Sequence, residues 1–327
     1  MKSYPKIVGR IVDALKSSQT FCIIGHIRPD GDCIGSQLAL GLALQDSGKD
    51  VLVWNDNDVP YKYKFLDAIE LIKKPNNGHQ FDCVIAVDSA NLNRFGTTLD
   101  YIHNRKLLIN IDHHESNERF GDLNWVSECA SSTGELVYRI LRAGRFPITA
   151  KIADCLFTAI STDTGSFQYP TTKPMTYHIA GELVSRGANI AEICARVYQS
   201  FPLSRVMLLR RIYNSFKLTY NNKIAYFWLK KEDFGKTGAN CDDTEGLIDH
   251  IRSIEPVVVA CVFEEEEPDL IRVSLRSKNV LINVSDIASQ FGGGGHAAAA
   301  GAKIRGTPLS VQRRVLSAIK KTLNSHL

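Results

Sequence analysis

The sequence lacks any long apolar run, since no stretch approaches the roughly 20 residues that a membrane-spanning helix needs. The first residues, Met1–Lys6, lead into polar sequence and contain no apolar core of the secretory type. A run of Lys and Arg that could coat long duplex DNA is missing as well. We therefore expect a cytoplasmic protein that neither enters a membrane nor binds long duplex DNA.

Closely paired cysteines are also absent, because the eight cysteines are scattered and none forms a Cys-x-x-Cys pair. Most of them stand in apolar stretches, as Cys22 does in Phe21-Cys22-Ile23 and Cys83 in Asp82-Cys83-Val84. Such positions favour buried free thiols in a reducing compartment over disulfides or a zinc knuckle.

The net charge of the 327 residues is +4, so neither sign of charge is in large excess. The charged residues are nevertheless unevenly distributed along the chain. Residues 1–190 contain 20 Lys+Arg and 21 Asp+Glu, a balance of −1, whereas residues 191–327 contain 19 and 14, a balance of +5. An acidic first part fits cation binding and a basic second part fits an anionic substrate. Uneven surface charge without a function stays open as the alternative.

Short apolar, β-branched runs recur in the first part of the chain, and helix-like segments separate them. The runs are Phe21–Gly25, Val51–Trp54, Cys83–Val87 and Leu107–Ile111, and the segments are Ser36–Ser47, Tyr61–Lys73 and Asn91–Asn104. Fully apolar strands that alternate with helices predict an α/β fold with a doubly wound parallel sheet, covered on both faces. In such sheets ligands collect beyond the carboxyl ends of the strands.

The remaining chain predicts a mainly helical stretch followed by a second, smaller α/β domain. Helices are expected over Thr133–Ala143, Ala150–Ile160, Thr176–Arg186 and Ile190–Tyr213, the last as a connection between domains. A hairpin over Lys217–Leu229 and two strands on either side of a glutamate-rich turn, Glu264–Pro268, are expected beyond it. We place the first domain at 1–190, a helical linker at 191–215 and the second domain at 216–327.

Asp or His residues follow apolar runs at four separate points of the first domain. The four groups are His26-x3-Asp30-x-Asp32, Asp88, Asp112-His113-His114 and Asp163. Carboxylates and imidazoles are unfavourable beside a core unless something compensates them, as a pair of divalent cations would. Oxygen-rich ligands with some imidazole suit Mn²⁺ or Mg²⁺, and the absence of a thiolate argues against structural zinc. Asp88 alone could simply cap a helix, but the four groups together predict a two-metal centre that cleaves phosphoesters.

The four groups, in this order, resemble the four-motif signature of the DHH phosphoesterase superfamily, and all four motifs are complete. The ligands that the resemblance implies are His26, Asp30 and Asp88 for one Mn²⁺, and Asp32, Asp88, His113 and Asp163 for the second, with Asp88 as the bridge. It also implies two further catalytic residues. Asp112 would orient a ligand histidine, and His114 would contact the scissile phosphate.

A mechanism follows from this implied arrangement. Two cations about 3.5–4 Å apart can share a water molecule and lower its pKa toward ~7. We expect the resulting hydroxide to attack phosphorus in line, while the metals neutralise charge on the phosphoryl oxygens. No covalent nucleophile is required.

A glycine-rich stretch, Gly292–Gly301, is the most informative feature of the second domain. Consecutive glycines let the backbone approach a ligand and offer N–H groups to anionic oxygens, although the stretch could simply pack tightly. Upstream, period-2 spacing places Arg272, Ser274 and Arg276 on one strand face, and arginine can bind phosphate through two parallel bonds. A solvated strand face is the alternative.

Gly-Gly-Gly-His-x-x-Ala-Ala-Gly after such an Arg-Ser strand is similar to the DHHA1 domain, which accompanies DHH domains in many nucleases. A chain of this length resembles the NrnA group of oligoribonucleases, which often also remove phosphate from 3′-phosphoadenosine 5′-phosphate (pAp). The substrate-binding residues that the resemblance implies are His114, Arg276, Ser277, Gly294, Gly295 and His296. It implies Mn²⁺-dependent degradation of very short RNA to mononucleotides, with short RNA, pAp or dinucleotides as substrates, and a homodimer.

Four alternatives are left open. The first is a phosphodiesterase for cyclic dinucleotides such as c-di-AMP or for linear pApA, although members that act on the cyclic form commonly carry membrane and sensory segments. A RecJ-like single-strand exonuclease would need a further nucleic-acid-binding domain. A pyrophosphatase or polyphosphatase usually has a different C-terminal domain. A non-catalytic nucleotide-binding protein would be expected to have lost metal ligands.

Overall fold

The computed structural model describes residues 4–326, except for the side chain of Asp242, and the chain forms two compact units whose boundary falls between Ser200 and Phe201. Each unit contains one six-stranded sheet. The stretch 191–215 contributes one helix to each unit. The domain bounds that we expect from the sequence stay a prediction. Among the described helices, none combines the length and the hydropathy that a bilayer crossing requires.

The first unit is built on a fully parallel sheet, which confirms the predicted α/β fold. Its strands are β1 (Thr20–Ile24), β2 (Asp50–Trp54), β3 (Ile72–Lys73), β4 (Phe81–Val87), β5 (Arg105–Asp112) and β6 (Leu123–Val126). Their order is β3-β2-β1-β4-β5-β6, so the chain reverses direction across the sheet after β3. This reversal leaves β1 beside β4, and the carboxyl ends of β1, β4 and β5 lie next to one another.

Both faces of this sheet are buried, which explains why its strands are apolar without alternation. In β1, Phe21 and Ile23 belong to the larger core, whereas Cys22 and Ile24 belong to a second cluster on the opposite face. The helices of the unit are α1 (Lys6–Ser17), α2 (Gly31–Gln45), α3 (Thr133–Gly144), α4 (Ala150–Asp163), α5 (Pro174–Ser185) and α6 (Ile190–Tyr198). A side-chain oxygen caps α2, α3 and α4 at Asp30, Ser132 and Thr149 respectively.

Two segments that the sequence predicted as α-helices form 3₁₀ turns instead, so these two predictions are wrong. The segment Tyr61–Lys73 forms two single 3₁₀ turns, Tyr61–Tyr63 and Ile69–Leu71, followed by the edge strand β3. A continuous helix is interrupted there because Ala68 adopts a left-handed conformation, with φ at 63°. The segment Asn91–Asn104 forms a 3₁₀ element over Leu92–Tyr101, which is kinked at Gly96.

The second unit surrounds a mixed sheet in the order β11-β12-β10-β9-β8-β7. Its strands are β7 (Lys217–Thr219), β8 (Ile224–Leu229), β9 (Val259–Glu267), β10 (Leu270–Ser277), β11 (Gly294–His296) and β12 (Ala299–Arg305). Its helices are α7 (Leu203–Ser215), α8 (Lys231–Thr237), α9 (Leu247–Arg252), α10 (Val284–Ser289) and α11 (Pro308–His326). A 3₁₀ element covers Cys241–Thr244. Buried clusters lie on both faces of this sheet too.

The hairpin expected over Lys217–Leu229 is present, and Asn221 and Asn222 both have positive φ in its turn. The glutamate-rich turn is wrong, because β9 continues through Glu267 before the chain reverses. Ion pairs hold these glutamates in the strand. Glu264 lies 3.1 Å from the Arg272 guanidinium, and Glu266 lies 2.7 Å from the Lys303 ammonium group. Opposite charges on β10 and β12 offset the low strand preference of Glu264 and Glu266.

Candidate metal centre

Three of the four predicted groups lie at the carboxyl ends of adjacent strands. His26 follows β1 after one residue, Asp88 follows β4 directly, and Asp112 is the last residue of β5. All strands of this sheet are parallel, so their carboxyl ends form one edge. The structure therefore brings together residues that are up to 86 positions apart in the sequence (26 to 112).

Asp30 and Asp32 reach the same edge from the start of α2. The Asp30 carboxylate accepts hydrogen bonds from the backbone N–H groups of Asp32 and Cys33, both at 3.1 Å, and thereby caps the helix. Its Oδ1 atom also lies 3.8 Å from Nε2 of His26. Asp32 is in the first turn, where the helix dipole favours a carboxylate, and its side chain is buried.

Asp163 joins the site because helices α2 and α4 approach each other closely. A Cβ atom at Gly31 would lie 2.4 Å from Oγ1 of Thr162, and one at Gly35 would lie 2.3 Å from the Cys155 carbonyl oxygen. The absence of these two side chains lets the end of α4 come close enough for Asp163 Oδ2 to lie 3.3 Å from Nε2 of His113.

The six predicted metal ligands, together with Asp112 and His114, form overlapping groups in which potential ligand atoms lie within 4.8 Å of one another. The groups are His26, Asp30 and Asp88; Asp32, His113 and Asp163; and Asp88, Asp112 and His114, of which the first and the last share Asp88. Asp88 lies between the first two. Its Oδ2 is 3.4 Å from Nε2 of His26, and its Oδ1 is 3.7 Å from Nε2 of His113. The Asp88 carboxylate thus offers one oxygen to each of these two groups.

The electrostatics of this site fit divalent cations. Burial, followed by repulsion from Asp88 and Asp163, raises the pKa of Asp32 well above its usual range. Burial is also the main reason why the pKa of Asp163 rises to about 6. Burial opposes charge on Asp88 too, but contact with His26 and the nearby histidines hold its pKa well below the usual range. Buried carboxylates that repel one another leave negative charge uncompensated, and a cation among them would stabilise it.

The start of α3 supports the site, a contribution that was not among the sequence predictions. The Thr133 hydroxyl donates to Oδ1 of Asp88 at 3.0 Å, and the Thr133 backbone N–H donates to Oδ2 of Asp32 at 2.6 Å. The backbone N–H of Gly134 donates to Oδ1 of Asp32 at 2.8 Å. The polar Ser131-Ser132-Thr133 run was the available signal, because such runs start helices and expose N–H groups.

Asp112 holds the ring of His114. Its Oδ1 lies 2.7 Å from Nδ1 of His114 and accepts from the backbone N–H of His113 at 2.8 Å, while its Oδ2 accepts from the Asn117 amide at 2.6 Å. Burial disfavours a charged His114, but the hydrogen bond and the charge of Asp112 raise its pKa to about 9. The resemblance implied that Asp112 orients a ligand histidine. Asp112 contacts the ring of His114, the histidine expected at the phosphate, and its role toward a ligand histidine stays a prediction.

Two further polar residues at this edge were not predicted. Asn55 directly follows β2, is 1% exposed, and both of its amide atoms lack a hydrogen-bond partner among residues 4–326. Its Oδ1 lies 2.7 Å from where a Cβ on Gly25 would stand, so Gly25 has no room for a side chain. Arg94, from the 3₁₀ element, places a guanidinium nitrogen 3.1 Å from Nδ1 of His26. Asn55 follows an apolar strand as the predicted groups do, so the same signal could have found it.

Five of the six predicted substrate residues lie on two strands of the second unit, β10 and β11, which are separated by β12. Arg276 pairs with Ala299, and Ala299 pairs with His296, so the three residues form one row across β10, β12 and β11 and share a face of the sheet. Ser277 is different, because its side chain is 4% exposed and its hydroxyl donates to the backbone of Asn279 at 2.9 Å.

The glycines of this stretch are not equivalent. Gly295 has φ at 142°, and a Cβ there would lie 2.5 Å from the Ala299 carbonyl oxygen. Gly293, which was not among the predicted residues, would place a Cβ 2.1 Å from the Gly301 carbonyl oxygen. Gly294 has open space around it. Close strand contacts therefore explain Gly293 and Gly295, whereas Gly294 could be replaced without a clash.

Comparison with known proteins identifies a family domain in each of the two parts of the chain. The DHH family N-terminal domain matches residues 20–160, and the DHHA1 domain matches residues 220–325. The bifunctional oligoribonuclease and PAP phosphatase NrnA of Thermus thermophilus is 31% identical, with 97% of this chain and 94% of the relative covered. The protein of the same name from Bacillus subtilis is 30% identical, with 90% and 92% covered.

A solved structure gives the same picture of the fold. The exopolyphosphatase-related protein from Bacteroides fragilis superposes with a TM-score of 0.87 and 28% identity, and 98% of each chain is covered. Relatives of this similarity over nearly the whole length, together with both domain matches, establish the family. The chain is a member of the DHH family of phosphoesterases, with a DHHA1 domain in its C-terminal part.

Proposed function

We propose that this enzyme is a Mn²⁺-dependent phosphodiesterase that degrades very short oligoribonucleotides to mononucleotides and also removes phosphate from pAp. One observation carries the proposal: Asp88 places its two carboxylate oxygens toward two separate groups of candidate metal ligands at one sheet edge. The substrate class comes from the relatives, which are named as oligoribonucleases and PAP phosphatases. Cytoplasmic location and a homodimer belong to the same proposal.

Two divalent cations would be held by residues of the first unit. The ligands we propose are His26, Asp30 and Asp88 for one cation, and Asp32, Asp88, His113 and Asp163 for the other. Bound cations supply Lewis acidity and an activated water molecule. The protein side chains supply the geometry, because Asp32 is fixed by backbone donors of α3 and Asp30 by the turn that it caps.

His114 is the proposed contact for the scissile phosphate. Asp112 occupies its Nδ1 atom, so the ring presents Nε2 away from that carboxylate. The hydrogen bond to Asp112 raises the pKa of the His114 ring and so favours a protonated imidazole, which can donate a hydrogen bond to a phosphoryl oxygen. Asp112 stays in place because Asn117 holds its other oxygen. This arrangement favours the developing negative charge of phosphoester cleavage.

The second unit is proposed to bind the remainder of a short substrate. Arg276 and His296 lie in one row on one face of the sheet and can approach the same phosphate or base. Gly294, with open space around it, can present its backbone to the ligand, whereas Gly295 and Ser277 would act by keeping this surface in shape. Binding at both ends of a small ligand would favour short substrates over long ones.

The decisive experiment compares substrates and metals on the purified chain. RNA of about two to five nucleotides, a 24-mer, pAp, pApA, c-di-AMP and polyphosphate are each incubated with Mn²⁺, with Mg²⁺ or with a chelator. We expect short RNA and pAp to be hydrolysed in the presence of Mn²⁺, and the 24-mer much more slowly. Equal rates for all RNA lengths, or preferred hydrolysis of c-di-AMP or polyphosphate, would overturn the substrate assignment.

A matched pair of variants tests the metal centre. Asp88→Ala is expected to lose nearly all turnover and to bind less Mn²⁺, because both groups of ligands lose an oxygen. Asp46→Ala, at the exposed end of α2, is the control and should behave like the unaltered enzyme. Full activity in Asp88→Ala would refute a two-metal centre built on this residue.

A further inference from the structure

The second unit contains a cavity that none of the predicted substrate residues lines. It has a volume of about 300 Å³ and lies between α7, the β7–β8 hairpin, the start of α8 and one residue of α11. The strands β7 and β8 form one edge of the sheet, whereas His296 is in β11 at the opposite edge. The cavity is therefore separate from the surface around Arg276 and His296.

Two aromatic side chains form one wall of this cavity. Tyr226 and Trp228 alternate along β8, so both point to the same side of the sheet, and both are half-buried. The Trp228 ring stacks on Phe263, with centroids 5.0 Å apart and planes 21° apart, and its Nε1–H donates to Gln312 at 2.6 Å. Phe263 is fully buried and fixes the indole face that it contacts, while Gln312 fixes the indole edge that carries Nε1. The rest of the indole therefore gives the cavity a rigid aromatic surface.

Cations surround this aromatic wall. Arg211 lines the cavity, but Asp233 matches its charge at 2.6 Å. Lys217 pairs directly with Tyr226 in the hairpin and is exposed, and Lys230 follows β8 with 63% of its side chain exposed. The Lys230 ammonium group lies 3.9 Å from the Glu232 carboxylate, which lies closer to Lys236, at 3.0 Å, so the pairing with Lys230 is weak. Two exposed ammonium groups thus stand beside two aromatic rings.

This combination identifies the chemical class of the ligand. Aromatic side chains stack on nucleobases whatever their sequence, and lysines bind phosphate as point charges. The Glu232 carboxylate can accept hydrogen bonds from ribose hydroxyls or an exocyclic amino group. The volume is at the low end for small-molecule sites, which suits one nucleotide.

We propose that this cavity is a second nucleotide site, which binds a nucleoside monophosphate with its base on Tyr226 and Trp228 and its phosphate at Lys217 and Lys230. The binding itself does not depend on the proposed reaction. One consequence does rest on the proposed reaction: because mononucleotides would be its products, the occupancy of this site would follow the product concentration.

The test is calorimetric titration of the full chain with AMP, with a chelator present so that turnover does not contribute. Lys217→Glu is expected to weaken one component of AMP binding about tenfold, since a charge-assisted contact becomes repulsive. Lys231→Glu is the matched control, because this exposed lysine is outside the cavity lining, and it should bind AMP like the unaltered chain. Equal AMP binding in Lys217→Glu and the control would overturn the proposal.

Tryptophan fluorescence tests the stacking separately. Trp54 and Trp125 are 1% and 5% exposed, so AMP is expected to quench mainly Trp228, and Trp228→Phe should abolish the quenching while an aromatic ring remains. Adenosine should quench as well, only at higher concentration. Quenching that persists in Trp228→Phe would overturn the assignment. Inorganic phosphate and adenosine provide a second check. If phosphate binds and Lys217→Glu weakens that binding, while adenosine leaves the fluorescence unchanged, the cavity binds an anion only and the nucleotide assignment is overturned.

Discussion

Gly35→Ala tests whether the close approach of α2 and α4 is what brings Asp163 to the metal centre. The new Cβ would stand 2.3 Å from the Cys155 carbonyl oxygen and 2.9 Å from the Ala159 Cβ, both on α4. Ordinary contact begins at 3.4 Å, so the helices would have to separate by about 1 Å. A backbone carbonyl cannot rotate away as a flexible side chain can, and the shift therefore falls on the helix that ends at Asp163.

The free energy of unfolding sets the size of the expected effect. Overpacking of a dense core costs about 1–3 kcal/mol, whereas replacing a helical glycine by alanine gains about 1 kcal/mol. With a backbone contact as short as this one, we expect a net loss of about 1–2 kcal/mol, which corresponds to roughly a 5–30-fold larger unfolding constant. Gly9→Ala is the matched control, since Gly9 is in α1 with open space around it and should gain up to about 1 kcal/mol.

Two assays distinguish these outcomes. Denaturation is followed by tryptophan fluorescence in a Trp228→Phe background, in which Trp54 and Trp125 both report on the first unit. Calorimetric titration with Mn²⁺ then measures metal affinity, which should fall about 10–100-fold in Gly35→Ala and stay unchanged in Gly9→Ala. If Gly35→Ala is as stable as Gly9→Ala, or binds Mn²⁺ equally well, the helix contact does not position Asp163.

Two further predictions concern the groups that hold the site residues. Thr133→Val removes the hydroxyl that donates to Asp88 at 3.0 Å, so Mn²⁺ affinity in titration should fall about 10–100-fold, whereas Thr133→Ser should retain it. An unchanged affinity in Thr133→Val would contradict this role. Asn117→Ala removes the amide that donates to Asp112 at 2.6 Å, and we expect kcat on short RNA to fall about tenfold while Mn²⁺ affinity stays the same. A loss of metal affinity without a change in kcat would instead assign Asn117 to the metal centre.

The strand-end residues could be predicted because parallel sheets have a simple geometry. Apolar runs of similar length, each followed by Asp or His, had to end at one edge once the sheet was parallel. His26, Asp88 and Asp112 accordingly meet there, and their meeting at one edge could be expected without knowing the order of the strands. The type of the fold and the location of the site therefore needed only local patterns.

The supporting residues could not be predicted in this way, because their contacts join segments that are distant in the sequence. Thr133 contacts Asp32 across 101 positions, and nothing near Thr133 indicates which strand end its helix will face. Local patterns also failed where a tertiary contact decides the structure. The glutamates of β9 resemble an exposed turn, yet Arg272 on β10 pairs with Glu264 and Lys303 on β12 pairs with Glu266, which makes a strand favourable there.

The glycines of helix α2 lower its intrinsic stability, and two of them indicate the long-range contact that positions Asp163. Helix α2 contains glycine at positions 31, 35 and 41, and an interior glycine lowers helix stability by about 1 kcal/mol relative to alanine. Taken alone, that pattern argues against a helix over Gly31–Gln45. The helix forms nevertheless, because its residues are buried almost throughout and a side-chain cap starts it at Asp30. Gly31 and Gly35 are explained by what they face: α4 occupies the space of their missing side chains, and this approach places the Asp163 carboxylate beside His113, whereas Gly41 faces Val53 of β2.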